Sequence, residues 1–394
     1  MDVFQKCFDF KDAELVRGLG LYPYFRVIGS GQDPVVTMNG SSVIMLGSNN
    51  YLGLTNHPEV KAAAAVALAA YGTGTAGSRF LNGTLDIHVE LEERLAAFMQ
   101  REAALTFSTG FQVNLGVISS LIDRKDTVVL DNLDHACILD GARLSFGRIL
   151  KYQHNDMASL EERLRSIDGG RGALIVVDGV FSMEGDLADL PRIVELAERH
   201  HARVMVDDAH GVGVMGEHGR GTAEHFGLEH DVDLVMGTFS KSLAAVGGFV
   251  AGSRPVIDWI KHHARSLIFS AAPPPASVAS VIKAVEIIER EPERRAKLWE
   301  NTRYMKRELE SLGFDTGASA SPVIPLLVGE DMTAFRMTVR LQEEGVFVNP
   351  VITPAVPPDR AMIRTSYMAT HTRDHLDRAL AAIAKVGREL GVIR

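Results

Sequence analysis

Cysteine is scarce in this sequence of 394 residues, with Cys7 and Cys137 its only thiols. Two thiols cannot build a secreted disulfide scaffold or a four-cysteine zinc site, so a reducing compartment is expected. Excess basic charge is also missing. Lysine and arginine number 41 against 50 acidic residues, a net charge of −9, which leaves no chain-wide footprint for nucleic acid or for an anionic membrane surface. Long apolar runs are absent too: the strongest, Ala62–Ala70 and Gly172–Val177, fall well short of the roughly 20 residues that cross a bilayer. The opening stretch MDVFQKCFDFKDAELVRGLG carries charges throughout and lacks a signal core with a cleavage site, so a cytoplasmic protein is expected. Neither internal repeats nor a low-complexity tail is visible. What is present is a chain 46% apolar and 23% charged, too long for one ordinary core, for which two unequal domains are predicted. Its glycines bunch between Gly72 and Gly83 and between Gly211 and Gly221, where special turns or a close backbone approach are expected.

Patterning then organises the chain. A short helix is predicted over Lys11–Gly18, followed by a hairpin turning at Asn39-Gly40. From Pro58 an alanine-rich helix runs to Gly72, with the proline in its first turn and a glycine as its stop. HVELEERLAAFMQ, ILDGARLSFG and MASLEERLRSI read as amphipathic helices. Between and after them lie short, nearly all-apolar runs: Ala104–Phe107, Thr127–Leu130, Ala173–Asp178, Arg203–Asp207, Leu234–Thr238 and Gly248–Ala251. Such runs alternating with helices predict strands buried on both faces of a largely parallel sheet, an α/β fold. After SLIFSAAPPPASVAS the composition shifts, and Pro273–Pro275 are expected to mark a joint. A long charged helix over Ala279–Leu312, broken near Pro292, and strands around Val323–Val328 and Met362–Ser366 read as a smaller α+β domain. The expected division is an N-terminal segment 1–45, a large domain 46–283 and a small domain 284–394.

Gly72-Thr-Gly-Thr-Ala-Gly77 matches the G-x-G-x-x-G string of dinucleotide sites. A helix precedes it and loop follows it, the reverse of the strand-then-helix context that fingerprint needs, so a nicotinamide dehydrogenase is disfavoured. Four other segments carry more weight together than singly. Lys241, in GTFSKS, sits in a turn between two buried strands, where a lysine is awkward to bury, although a snorkelling surface lysine would satisfy the same pattern. Asp207, in VMVDDAHG, stands at a strand's carboxyl end with His210 three residues on; a turn or helix cap is the simpler reading, and two ligands without partners cannot hold a metal. Ser108-Thr-Gly110-Phe111 opens a helix whose free amides would seat an anion, or merely cap it. His135 ends another strand, and a lone histidine is more often structural. A lysine, an acid, an aromatic base and an anion seat at one sheet edge suit pyridoxal 5′-phosphate, whose aldehyde, ring nitrogen, ring face and phosphate want those four partners. No metal is expected.

The segments NNYLGLTNHP, GTGTAGSRFLNGT, HVELE, FSTGFQVN, DHACILDG, GVFSMEGD, VDDAHGVGVMGEHGRG, GTFSKSLAAVGG and IRTSYMATHT resemble the α-oxoamine synthase family from about Leu46 to the C-terminus. That resemblance implies a pyridoxal-phosphate transferase of fold type I, aspartate aminotransferase-like, with a mostly parallel seven-stranded sheet domain and a smaller C-terminal domain. It further implies that Lys241 forms the Schiff base, Asp207 pairs with the pyridinium, His210 bonds the phenolic oxygen and His135 stacks on the ring. Ser108, Gly110, Phe111, Thr238 and Ser240 would hold the phosphate, with Ser270 offered from a neighbouring subunit, so a homodimer with active sites at the subunit interface is implied. Arg364 would grip the substrate carboxylate through its bidentate fork; Asn50 and Ser182 would lie near the substrate and the cofactor oxygen. Cys137 departs from the serine common at its position and is expected to be a tolerated neighbour of His135 rather than a nucleophile. The family condenses an amino acid with an acyl-CoA and releases carbon dioxide. Here L-serine with palmitoyl-CoA is the favoured pair, glycine with acetyl-CoA and alanine with a pimeloyl thioester being the alternatives. A non-catalytic partner subunit is disfavoured because Lys241, Asp207 and His135 are all present. Peripheral membrane contact stays open.

Overall fold

The computed structural model describes residues 2–394. Its strands are β1 (Val35–Met38), β2 (Ser41–Met45), β3 (Ala103–Phe107), β4 (Thr127–Asp131), β5 (Arg148–Tyr152), β6 (Ala173–Asp178), β7 (Arg203–Asp207), β8 (Leu234–Thr238), β9 (Gly248–Gly252), β10 (Val323–Gly329), β11 (Val346–Phe347), β12 (Asn349–Val351) and β13 (Ala361–Ser366). Each of the six short apolar runs singled out above is a strand. The chain forms two compact units, Asn49–Leu298 and the stretch up to Ser48 with Trp299–Arg394.

The larger unit is built on a seven-stranded sheet in the order β3-β9-β8-β7-β6-β4-β5. Strands β4 to β8 pair in parallel, whereas β9 runs antiparallel between β3 and β8. Every residue of β4, β8 and β9 is buried, which is why these strands are continuously apolar rather than alternating. Asp178 pairs in register with Asp207, and both Thr238 and Phe107 pair with Gly248. The carboxyl ends of β3, β6, β7 and β8 therefore share one edge, where ligands of open α/β sheets gather. Helix Gly110–Leu121 starts at that edge and buries Val113, Val117 and Ile118 in the core.

The structure departs from one expectation and gives the reason for another. Pro273–Pro275 do not separate the units: Pro275 opens helix Pro275–Arg290, where its missing amide hydrogen costs nothing, and this helix packs on helices Pro58–Tyr71 and Asp86–Phe98. The large unit thus continues beyond residue 283 to Leu298. The glycine bunches, moreover, serve their own loops. A Cβ at Gly211 or Gly221 would lie 1.8 or 1.9 Å from an Asp208 carboxylate oxygen, and one at Gly77 would lie 1.8 Å from Asn82 Oδ1. Asp208, wholly buried, accepts hydrogen bonds from the Thr222 amide and hydroxyl, and burial pushes its carboxyl up to about 7. It is the hub of the Gly211–Gly221 loop.

In the smaller unit β1 and β2 form the expected hairpin, with Asn39 and Gly40 at positive φ of 49° and 78°, and β11 adds to β2 in parallel. A second sheet, β10-β13-β12, is antiparallel, and helix Arg373–Glu389 is capped by the Thr372 hydroxyl. Among the described residues no helix is long and apolar enough to cross a membrane.

Candidate active site

A cavity of about 320 Å³ opens at the carboxyl edge of the large sheet. Its lining includes Gly110, Phe111, His135, Ser182, Asp207, His210, Thr238, Ser240 and Lys241, so nine of the expected site residues converge from segments up to 131 positions apart, Gly110 to Lys241. Lys241 lies in the turn between β8 and β9, half-buried. Asp207, the last residue of β7, is 3% exposed; its Oδ1 accepts from the Ala209 amide at 3.1 Å and its Oδ2 from Asn114 Nδ2 at 2.6 Å. Both donors are neutral. Neither hydrogen bond therefore brings a counter-charge to this acid.

His135 is the N-cap of helix Ala136–Leu144, its Nδ1 accepting from the Cys137 amide at 3.3 Å. Its own amide donates to Asp178 Oδ2 at 2.8 Å, so backbone and ring are both held. His135 is exposed as a residue and lines the cavity, while desolvation by its surroundings lowers its pKa. His210 Nδ1 lies 2.7 Å from the Tyr51 hydroxyl. Behind β4 and β6 a second acidic group gathers: Asp134 accepts from the amides of Asp131 and Asp178, while His154 reaches Asp131 at 3.1 Å and Asp186 at 2.9 Å. Desolvation alone would lower the His154 pKa, but the hydrogen bonds to the two carboxylates outweigh it and lift it to about 10. Desolvation raises the Asp134 and Asp178 carboxyls well above their ordinary range, with neighbouring carboxylates adding to it.

Hydroxyls gather at the start of the helix expected to seat an anion. Thr109 caps helix Gly110–Leu121 by accepting from the Gln112 amide at 3.2 Å. Thr238 Oγ1 lies 2.9 Å from Ser240 Oγ, and a Cβ at Gly110 would come within 2.6 Å of Thr238 Oγ1, so glycine keeps the helix start close to these hydroxyls. Ser108 and Ser270 stand just outside the cavity lining: the Ser108 hydroxyl donates to Ala271 O, and Ser270 Oγ accepts from Gln112 Nε2 at 3.0 Å. Asn50 is buried and accepts from the Thr55 amide at 3.2 Å. Arg364 lies on β13 of the smaller unit, 6% exposed, between Pro325 and Asn349 in the strand register. Sequence reading missed Asn114, Tyr51 and Asp178. Each acts through a contact 43 to 159 residues away, and no local spacing announces it.

A buried carboxylate with neutral donors, a lysine in a strand turn, a partly exposed imidazole and a glycine-opened helix start fit pyridoxal 5′-phosphate. Fold and cavity together define a pyridoxal-phosphate-dependent enzyme of the aminotransferase-like fold. The family model described as aminotransferase class I and II matches residues 41–383, and the chain belongs to that family. It is 54% identical to a serine palmitoyltransferase of Sphingobacterium spiritivorum over 96% of this chain and 95% of the relative. It is 46% identical to an 8-amino-7-oxononanoate synthase of Thermoanaerobacter pseudethanolicus over 96% of each chain. Among solved structures, serine palmitoyltransferase from S. paucimobilis with a bound PLP–myriocin aldimine superimposes with a TM-score of 0.96 at 35% identity, covering 100% of both chains.

Proposed function

We propose that this enzyme joins L-serine to palmitoyl-CoA, giving 3-ketodihydrosphingosine, CoA and carbon dioxide. The observation that carries the reading is the convergence of Lys241, Asp207, His135 and His210 in one cavity at the carboxyl edge of the sheet. The name borne by relatives 50–54% identical along almost the whole chain supports this substrate pair over alanine with a pimeloyl thioester, borne by relatives at 44–48%. Pyridoxal phosphate, when bound, supplies an aldehyde carbon that condenses with an amine and a protonated ring that accepts electrons from the carbon beside that amine.

The chain's own residues do the rest. Asp207 keeps the ring nitrogen protonated, and its two neutral donors leave it able to do so. Lys241 takes the proton from the amino acid's Cα, a role suited to an amine held in a largely enclosed turn. His135, in the cavity lining, would stack on the ring. His210, oriented by Tyr51, hydrogen-bonds the ring's phenolic oxygen. The amides of Gly110 and Phe111 with the hydroxyls of Ser108, Thr238 and Ser240 hold the phosphate, and Ser182 lies near the cofactor oxygen. Arg364 is the residue proposed for the serine carboxylate, which its planar fork suits, and Asn50 is proposed as a substrate residue. Ser270, whose Oγ accepts from Gln112 Nε2 within its own chain, is the residue that the family resemblance assigns to the phosphate of a neighbouring subunit's site. A cytoplasmic homodimer with shared sites is part of the proposal. The test is CoA release from L-serine, glycine and L-alanine, each with two-, eight- and sixteen-carbon acyl-CoA and with pimeloyl-CoA. Serine with the sixteen-carbon thioester is expected to be the fastest pair, and turnover confined to glycine with acetyl-CoA or to alanine with pimeloyl-CoA would refute it.

A further inference from the structure

The side of His135 away from the cavity is not idle packing. Cys137 Sγ lies 2.8 Å from His135 Nδ1, Asn114 Nδ2 lies 3.0 Å from Cys137 Sγ, and the same Asn114 nitrogen lies 2.6 Å from Asp207 Oδ2. Asn114 is wholly buried and Cys137 is 3% exposed, so water does not compete for these bonds. Four groups thus form one chain from the acid to the aromatic base.

Elementary donor and acceptor rules set its direction. An amide NH₂ can only donate, so Asn114 gives one hydrogen to Asp207 and the other to the sulfur. The sulfur, already accepting, has its own hydrogen left for one of two acceptors, and His135 Nδ1 at 2.8 Å is much nearer than Asp207 Oδ2 at 3.9 Å. Burial and the nearby Asp207 charge both push the thiol pKa up, which keeps that hydrogen in place. The Cys137 amide donates to the same Nδ1 at 3.3 Å. A ring nitrogen that accepts two donors carries a lone pair, and in a neutral imidazole the proton must then sit on the other nitrogen.

We propose that Cys137 and Asn114 are positioning residues that hold His135 as the neutral tautomer with its proton on Nε2, the nitrogen left for the cavity. His135 then offers a substrate oxygen a hydrogen-bond donor and is unable to act as a base, leaving proton removal to Lys241. The inference rests on the reading of the cavity given above, but it concerns the protein without cofactor or substrate as well. The charged and titratable groups around His135 are Asp207 at the end of β7, Lys241 in the β8–β9 turn, Asp134 and Asp178 beside its backbone, and Cys137 on its own helix.

The test uses the cofactor-free protein with ¹⁵N-labelled histidine, the His135 signals being assigned by their loss in His135→Gln. Nitrogen shifts followed from pH 5 to 8 report tautomer and titration directly. The wild type is expected to show a protonated Nε2 and a bare Nδ1. Cys137→Ala removes one donor to Nδ1 and is expected to make ring protonation about three- to tenfold easier, a pKa rise of roughly half a unit to one unit. Cys137→Ser, which keeps a donor, is expected to restore the wild-type titration. A wild-type ring protonated on Nδ1 would overturn the proposal without reference to any variant, as would an unchanged titration in Cys137→Ala. Failure of serine and palmitoyl-CoA to react while the tautomer stands would count against the substrate pair and not against this assignment.

Discussion

Two acidic corners share one sheet edge and are neutralised in opposite ways. At the end of β7, Asp207 is met by an asparagine amide and a backbone amide, both uncharged. At the ends of β4 and β6, the acids sit with His154, whose imidazolium is clamped between Asp131 and Asp186. The difference separates a working carboxylate from structural ones. A charge answered internally by another charge has nothing left for a ligand, whereas one answered by dipoles still attracts a cation. Asp207 therefore faces the cavity as the acid that can hold a pyridinium, while the β4–β6 corner braces the loop that carries His135.

The largest effect expected on either side of this comparison is at the lysine that completes the Asp207 corner. Lys241→Ala should lower CoA release by at least about a thousandfold, as the loss of a residue used both as nucleophile and as proton carrier does. Asp207→Asn comes next, with kcat reduced about a hundredfold or more: its single carbonyl can accept from Ala209 or from Asn114 but not from both, as the two carboxylate oxygens do. Thermal unfolding of that variant close to wild type, with activity lost, would place Asp207 on the functional side. The β4–β6 corner should respond the other way. His154→Gln is expected to cost about 2–3 kcal/mol of stability, because two buried carboxylates lose their cation, and to change kcat less than Asp207→Asn does.

The same residue predicts a pH signature. The His154 pKa is raised in the folded protein to about 10 from an ordinary 6.5, so the folded state binds its proton more tightly. Its stabilisation is fully present below about pH 6.5 and is lost as the pH climbs through about 10. Wild-type and His154→Gln melting temperatures should therefore differ most near pH 6 and converge toward pH 10; a gap that widens with pH would contradict the clamp. A smaller effect is expected from Gly211→Ala, about 2 kcal/mol by chemical denaturation, since its Cβ would collide with Asp208 and force the loop apart.

The sequence showed one corner far better than the other. Lys241, Asp207 and His135 were legible because Asp207 ends a short apolar strand and the other two follow one within three or four residues, and a strand end in a parallel sheet is a place where chemistry collects. The buried strands were legible for the same reason, their side chains being apolar on both faces. Strand β5 escaped notice because it lies at the sheet's edge and only Tyr152 within it is fully buried, leaving Arg148 and Lys151 exposed and no clean pattern. Asn114 reads as an ordinary polar residue on a helix, and nothing near it in sequence indicates Asp207, 93 positions away. The acids of the β4–β6 corner look like turn residues until the sheet brings them to His154. Glycine bunching drew attention to a loop where a close approach does occur, and the structure shows that it is to Asp208, a side chain of the protein itself.

The central claim is that the Asp207 corner and Lys241 together form the pyridoxal-phosphate site. Borohydride reduction of the purified holoenzyme followed by peptide mass analysis tests it most directly. The account predicts bleaching of the visible absorbance and a phosphopyridoxyl mass on the peptide containing Lys241. A label on any other lysine, or reduction that leaves every lysine unmodified, would contradict it.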